Sequence, residues 1–214
     1  QILRDLEEAG SSLFTVPDEV MGDLTEGRDL GAIIGLLRMP QSPELGHVIA
    51  AAQDEPVVLL VAAEIKDPGN VGALMRTALA GGANIFVACG ISDPYHPKAV
   101  RTSMGALFKL PIVTASDAQE LLAEFRAVEI QSAGRAVEGA VSLPQVEFSG
   151  KAIALFVGSE SWGLAPEVQQ ALDTLVSIPM RDGVDSYSVN AAAAIALYEL
   201  GRRRGFKTKG AGPG

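Results

Sequence analysis

The chain has 214 residues, 48% of them hydrophobic and 20% charged, which is typical of a globular protein with one main domain and a smaller appendage. The single cysteine, Cys89, excludes an internal disulfide framework and a cysteine-based zinc site, and the two histidines, His47 and His96, have no carboxylates at a spacing that would complete a metal site. The formal net charge of −9 argues against general nucleic-acid binding, so any such contact requires a local basic patch.

Charge is distributed unevenly along the chain. Residues 1–48 hold nine acidic and three basic residues, whereas 201–214 hold no acid and five bases: Arg202, Arg203, Arg204, Lys207 and Lys209.

No apolar run approaches about 18 residues, so we expect no membrane span and a cytoplasmic location. Gln1 opens inside an apparent helix, so we expect the natural chain to begin further upstream.

Residues 1–48 have the pattern of part of a small α/β domain. Apolar residues recur at helical spacing near the start, and the composition then predicts strands at 13–16 and 31–37, a helix at 18–24 and a linker at 39–44. We expect three parts: a partial amino-terminal domain at 1–48, a main domain at 49–207 and a flexible tail at 208–214.

Apolar runs alternate with helical patterns after the linker. The patterns predict strands at 56–63, 85–88, 111–113, 129–133, 151–157 and 175–179, and helices at 70–80, 98–107, 118–126, 166–172 and 189–204. Continuous apolar strands that alternate with helices are typical of a parallel sheet covered on both faces. The sequence therefore predicts an α/β fold with a mostly parallel sheet.

Three segments at predicted strand ends carry candidate functional residues, because ligands of α/β sheets bind there. The first contains Asn70 at a predicted helix N-cap, Gly72, which leaves room for another backbone, and Arg76 one turn later. An arginine after such a turn suits a phosphate or a ribose. A plain capping asparagine and a solvated arginine are the alternative.

The second and third segments follow the strands at 151–157 and 175–179. Gly158, Glu160 and Gly163 form a Gly-x-Glu-x-x-Gly turn, in which the glycines let a ligand lie against the backbone. Ile178-Pro179-Met180 is followed by a polar loop and a helix start, where Ser186 or Ser188 is the natural N-cap. An ordinary loop carboxylate and ordinary capping serines are the alternative.

Other common chemistries lack their motifs. The sequence has no Gly-x-Gly-x-x-Gly after a first strand, no P-loop and no Gly-x-Ser-x-Gly elbow. A Rossmann dinucleotide site, a P-loop nucleotide site and a serine hydrolase are therefore unsupported.

In this order and spacing, the three segments resemble the motifs of the SpoU/TrmH branch of the SPOUT methyltransferases, over about residues 56–204. The resemblance implies a sheet whose carboxyl-terminal part forms a deep trefoil knot, preceded by part of a small substrate-binding domain. It implies S-adenosylmethionine (AdoMet) as cofactor, without a metal, and RNA as substrate. Ribosomal RNA is the first expectation and transfer RNA the second. By position, the cofactor pocket would be lined by Gly158, Ile178, Met180 and Tyr187.

The resemblance also implies residue roles in 2′-O-methylation of a ribose. Arg76 would meet the 2′-oxygen, from its own or the opposite subunit, as an oxyanion stabiliser or phosphate anchor, because arginine is very rarely deprotonated. Asn70 would orient the substrate or Arg76, and Glu160 would orient Arg76 or other polar groups. Ser186 and Ser188 would place the ribose or the loop.

One departure from the family pattern concerns the third motif. The family reads Ser-Leu-Asn-Val-Ser where this chain reads Ser186-Tyr187-Ser188-Val189-Asn190. Either Asn190 takes over the amide role, or Ser188 keeps a reduced role, or activity is lost. A knotted RNA-binding protein without catalysis is thus one alternative. An unrelated α/β nucleotide-binding domain, favoured by the acidic charge, is the other.

The resemblance further implies a homodimer. In the family, the knot that carries the cofactor forms the surface between subunits. Four apolar side chains recur at helical spacing on the last helix, more than one thin sheet layer can cover: Ala191, Ala194, Ile195 and Tyr198. The alternative is an ordinary buried helix face.

Overall fold

A computed structural model describes residues 1–25, 33–51, 56–136, 140–148, 150–184 and 186–204. The chain divides into two compact units, Gln1–Pro40 and Gln41–Gly214. The tail expected at 208–214 lies outside the described residues.

The first unit contains two short helices, α1 (Ile2–Glu8) and α2 (Asp18–Leu24). The helix predicted at 18–24 is confirmed. The strand predicted at 13–16 is wrong, and 33–37 is not a strand either, while residues 31–32 lie outside the described part. The described residues of this unit contain no sheet that an isolated apolar run could join, and local propensity alone does not hold a strand.

The second unit is built on a seven-stranded sheet in the order β3-β2-β1-β6-β4-β7-β5. Every pairing between these strands is parallel. The predicted α/β class and parallel sheet are therefore confirmed. The strands are β1 (Val57–Ala63), β2 (Ile85–Cys89), β3 (Ile112–Ala115), β4 (Ile130–Arg135), β5 (Val141–Ser142), β6 (Ala152–Val157) and β7 (Thr174–Ser177).

Helices cover both faces of the sheet, which explains why β1, β2 and β6 are buried along their whole length. Leu60 and Ala62 of β1 face one apolar core and Leu59 and Val61 face the other. The helices are α3 (Leu45–Ala51), α4 (Pro68–Ala80), α5 (Pro97–Thr102), α6 (Ala118–Ala127), α7 (Pro166–Ala171) and α8 (Val189–Arg204).

The helix predicted at 98–107 is shorter in the structure. It ends at Thr102 because the chain turns left-handed two residues later, with φ 49° at Met104 and φ 85° at Gly105, before a 3₁₀ turn at Ala106–Phe108. The sequence patterns also missed α3 and the two-residue strand β5. No helix in the described part is long and apolar enough to cross a bilayer.

Helices α4 and α5 approach each other closely at Gly72. A Cβ atom there would lie 2.0 Å from Thr102 Oγ1 and 2.2 Å from the carbonyl oxygen of Ala99. Thr102 Oγ1 donates to the carbonyl oxygen of Gly69 at 3.1 Å across the same contact. The prediction that Gly72 admits another backbone is confirmed.

We expect Gly72→Ala to lower the free energy of unfolding by about 1–3 kcal/mol, because the methyl group meets backbone that cannot give way. Urea denaturation measures the change. The matched control is Gly46→Ala in α3, where a Cβ meets no atom within 4 Å. An equal effect of the two substitutions contradicts the close contact.

Candidate functional site

The amino end of α4 follows directly from β1 and is capped by Asp67, not by Asn70. Asp67 Oδ1 accepts the Gly69 N–H at 2.9 Å and the Lys98 ammonium at 2.7 Å. The hydrogen bond from Lys98, and then that from Gly69, hold the pKa of Asp67 below its usual range. The prediction that Asn70 is the N-cap is wrong, because Pro68 opens the helix two residues earlier.

A chain of three hydrogen-bonded side chains joins the predicted segments. Asn70 Nδ2 donates to Glu160 Oε1 at 2.5 Å, and Asn190 Nδ2 donates to Asn70 Oδ1 at 3.3 Å. Asn70 lies in the first turn of α4, Glu160 in the loop after β6, and Asn190 in the first turn of α8. The structure thus brings together one residue from each of the three segments.

Asn190 is the last of these three hydrogen-bonded side chains, and its acceptor atom is unused. Its Oδ1 atom is buried and receives no hydrogen bond from any other described residue. A buried amide oxygen without a donor costs about 1–3 kcal/mol of stability. We therefore expect a group outside this chain to donate a hydrogen bond to it. Polarisation by the Glu160 carboxylate through two amides makes that oxygen a stronger acceptor.

Ser188 has a different task. Its Oγ accepts the Ala191 N–H at 3.3 Å and caps α8. Of the two serines predicted as the N-cap, Ser188 is therefore the one that caps α8. Ser186 is exposed and takes no part in the hydrogen-bonded chain.

The Gly-x-Glu-x-x-Gly segment forms a tight turn that holds Glu160 at its tip. The Gly163 N–H donates to the carbonyl oxygen of Ser159 at 2.8 Å, and Gly163 has φ 69°. A Cβ at Gly158 would lie 2.3 Å from the carbonyl of Gly163. Glycine is required at both ends, so the turn presents Glu160 to Asn70 by backbone shape.

An apolar cavity lies beside this cluster, between the sheet and α8. Of the four predicted cofactor-binding residues, Ile178 lines the cavity, whereas Gly158, Met180 and Tyr187 do not. Tyr187 packs against the core on the same face of the sheet, and Met180 is partly buried. Other lining residues are Gly134 and Arg135 of β4, Val157 of β6, and Ala192, Ala193 and Ala196 of α8.

Sequence reasoning missed the contribution of β4. Gly134 and Arg135 end a buried strand without any turn motif after them, so no local signal identifies them. The strand order supplies the reason, because β4 lies between β6 and β7, the strands that lead into the second and third segments.

Arg76 stands apart from the cluster. It is exposed, and no other described residue forms a hydrogen bond or ion pair with it. It lies six positions beyond Asn70, about 9 Å along the helix at a rise of 1.5 Å per residue, and on a different face. Of the two roles expected for Glu160, contact with Arg76 is not seen within one chain, whereas contact with another polar group, Asn70, is. The described part of the chain has no group of three or more His, Cys, Asp or Glu side chains that could hold a metal ion.

Known proteins match this chain in sequence and in fold. The family model of the SpoU rRNA methylases matches residues 57–198. An uncharacterized tRNA/rRNA methyltransferase of Mycobacterium ulcerans is 33% identical over 159 residues, which cover 73% of this chain and 51% of the relative. The chain thus spans about half the length of this curated relative.

Two solved structures bear on the site. The AdoMet-bound rRNA methyltransferase from Sinorhizobium meliloti has a TM-score of 0.81 and 27% identity, covering 95% of this chain and 76% of that one. The SpoU methyltransferase AviRb from Streptomyces viridochromogenes, in complex with AdoMet, has a TM-score of 0.69 and 30% identity, covering 78% and 63%.

Proposed function

This chain belongs to the SpoU rRNA methylase family, and from that membership we propose that it transfers a methyl group from AdoMet to a ribose 2′-hydroxyl of structured RNA. Ribosomal RNA is the proposed substrate, and transfer RNA is the second candidate. The observation that carries the proposal is the hydrogen-bonded chain of Glu160, Asn70 and Asn190 at the meeting point of the three strand-end segments.

Ile178 and the alanines of α8 offer apolar walls suited to the adenine ring of AdoMet. The unpartnered Oδ1 of Asn190, two residues before the cavity-lining Ala192, offers a hydrogen-bond acceptor. When bound there, the cofactor supplies a methyl group already activated by its sulfonium, for which no metal is needed.

The chain's own residues then have to prepare the ribose oxygen. A 2′-hydroxyl is a poor nucleophile until its proton is removed or its developing negative charge is stabilised. Arg76 supplies a permanent positive charge for that oxygen or for the neighbouring phosphate. Asn70, held between Glu160 and Asn190, is fixed in one orientation and positions the ribose.

The separation of Arg76 from the cluster supports a homodimer in which Arg76 reaches the site of the other copy. The outer face of α8 supplies an apolar surface for such a contact, because Ala194 and Tyr198 are exposed and Ala191 and Ile195 are only partly covered. The proposal requires a twofold axis that places each α4 beside the partner's site.

We expect a dimeric mass in light scattering at micromolar concentration. Tyr198→Asp places a charge on the 68%-exposed side chain at this face and should shift the mass towards the monomer. Val128→Asp, which lies at the end of α6 on the other face, is the control and should leave the mass unchanged. A monomeric wild-type protein contradicts the proposal.

The activity is tested with AdoMet labelled in its methyl group and total RNA stripped of its own methyl groups. Digestion of the product should release labelled 2′-O-methyl nucleosides, and separate ribosomal and transfer RNA fractions identify the substrate class. Label on a base contradicts ribose specificity. AdoMet binding without transfer indicates a knotted RNA-binding protein without catalysis, and no AdoMet binding indicates an unrelated α/β nucleotide-binding domain.

A further inference from the structure

The segment from α5 to β3 is a basic part of the second unit. Residues 94–116 contain no acidic side chain, although the whole chain carries a formal net charge of −9. Lys98, Arg101 and Lys109 are all exposed. Lys98 is paired with Asp67, whereas Arg101 and Lys109 have no ion pair with any other described residue.

Two large apolar side chains are exposed beside these cations. Met104 is 73% exposed and Phe108 is 65% exposed. Met104 adopts φ 49°, a conformation that a side chain of its size rarely takes, and the Met104 N–H donates to the carbonyl oxygen of Arg101 at 3.1 Å. An exposed apolar residue held in a strained turn is a cost to the isolated chain that a bound partner offsets.

The basic carboxyl end of the chain is a weaker candidate for the same partner. Glu199 binds both Arg202 and Arg203 at 2.7–2.9 Å. Arg203 also donates to the carbonyl oxygens of Leu143 and Val146. These two charges are thus engaged within the protein, whereas those of Arg101 and Lys109 are not.

The α5 turn surface, defined as Arg101, Met104, Phe108 and Lys109, is joined rigidly to the candidate site. Helix α5 packs on α4 through the contact of Gly72 with Ala99 and Thr102. Because α4 carries Asn70 and Arg76, a ligand on this surface has a fixed position relative to them.

We propose that the α5 turn surface binds an unpaired stretch of the RNA substrate, with a base stacked on Phe108 and phosphates held by Arg101 and Lys109. Aromatic side chains that alternate with cations are the means by which proteins hold single-stranded nucleic acid. The assignment rests on the proposed function, because it places the RNA of that reaction.

Binding of a labelled, mixed-sequence 20-nucleotide single-stranded RNA to the full chain, measured by fluorescence anisotropy, tests the surface. Phe108→Ala should weaken binding about 5- to 100-fold, the effect of losing one stacked base. Arg101→Gln and Lys109→Gln should each reduce the slope of log affinity against log salt by about 0.7. The same RNA as a duplex should be affected less by Phe108→Ala.

Matched controls lie elsewhere on the second unit. Val128→Ala truncates another exposed apolar side chain, and Lys151→Gln removes a positive charge at the amino end of β6, which lies three positions from β3 in the sheet. Both should bind RNA like the wild type. The proposal is overturned if Phe108→Ala binds like Val128→Ala, or if the wild type binds no RNA.

Two further measurements separate the possible failures. Light scattering of Phe108→Ala should match the wild type; a lower mass identifies a surface between two copies of the chain and overturns the RNA assignment. Calorimetry with AdoMet should be unchanged in every variant. Absence of AdoMet binding in the wild type refutes the proposed function, while the anisotropy results still decide whether this surface binds RNA.

Discussion

Arg76→Ala is expected to slow methyl transfer about 100- to 1000-fold, the usual effect of removing one electrostatic contact to a developing oxyanion. AdoMet affinity, measured by calorimetry, should stay at the wild-type value, because Arg76 is exposed and makes no contact with the apolar cavity. Arg76→Lys should recover only part of the rate, since lysine keeps the charge and loses the planar fork. Full activity of Arg76→Ala contradicts the assignment.

Mixed dimers determine which subunit supplies Arg76. If it acts on the partner's site, equal mixing of Arg76→Ala and Asn190→Ala subunits creates one intact site in each mixed dimer, about a quarter of wild-type activity overall. If it acts within its own chain, every site lacks one residue and mixing restores nothing. Each parent variant alone, carried through the same unfolding and reassembly, is the control.

Asn190→Ala is expected to slow methyl transfer about 10- to 100-fold, because it removes the hydrogen bond that fixes Asn70 and allows that side chain to rotate away. Ser188→Ala should change the rate only a few-fold. This substitution removes only the cap of α8, which lowers the free energy of unfolding by about 1 kcal/mol. Rates and urea midpoints, measured side by side, separate a catalytic effect from a structural one.

The double change Ser188→Asn with Asn190→Ser restores the family order of the third motif. We expect a slower enzyme, because serine at 190 has a shorter side chain than the asparagine that now donates to Asn70. A faster double variant contradicts the assignment of the amide role to Asn190. An equally large loss of rate in Ser188→Ala and Asn190→Ala contradicts it as well.

The fold of the second unit could be predicted because its signal is local. Buried strands read as continuous apolar runs, and helices begin at prolines or capping residues, so class and parallel pairing follow from the sequence. The failures have a physical cause. Residues 13–16 have strand composition but pair with no strand among the described residues. The helix predicted at 98–107 is interrupted by left-handed conformations at Met104 and Gly105, which apolar periodicity does not reveal.

The candidate site could be predicted only as far as its motifs reach. Asn70, Glu160 and Asn190 are near motif glycines or helix starts, so their segments were identifiable, but which atoms meet was not. The helix cap was predicted at Asn70, three residues after the actual cap, Asp67. Gly134 and Arg135 of β4 belong to no motif, so their place at the cavity was not predicted. Contacts between residues distant in sequence depend on strand order, which apolar periodicity does not encode.

The order of the strands also determines when the sheet can form during translation. β4 is flanked by β6 and β7, and β5 pairs only with β7, so both strands wait for partners that are translated later. At a ribosomal rate of about 5–20 residues per second, Ser177 follows Arg135 by roughly 2 to 8 seconds. Until β6 is complete the nascent β4 has two unpaired edges, and until β7 is complete it has one; unpaired edges are templates for pairing with other chains. Half of the sheet is therefore assembled late. A chaperone that binds nascent chains would prevent aggregation most effectively before β7 is translated.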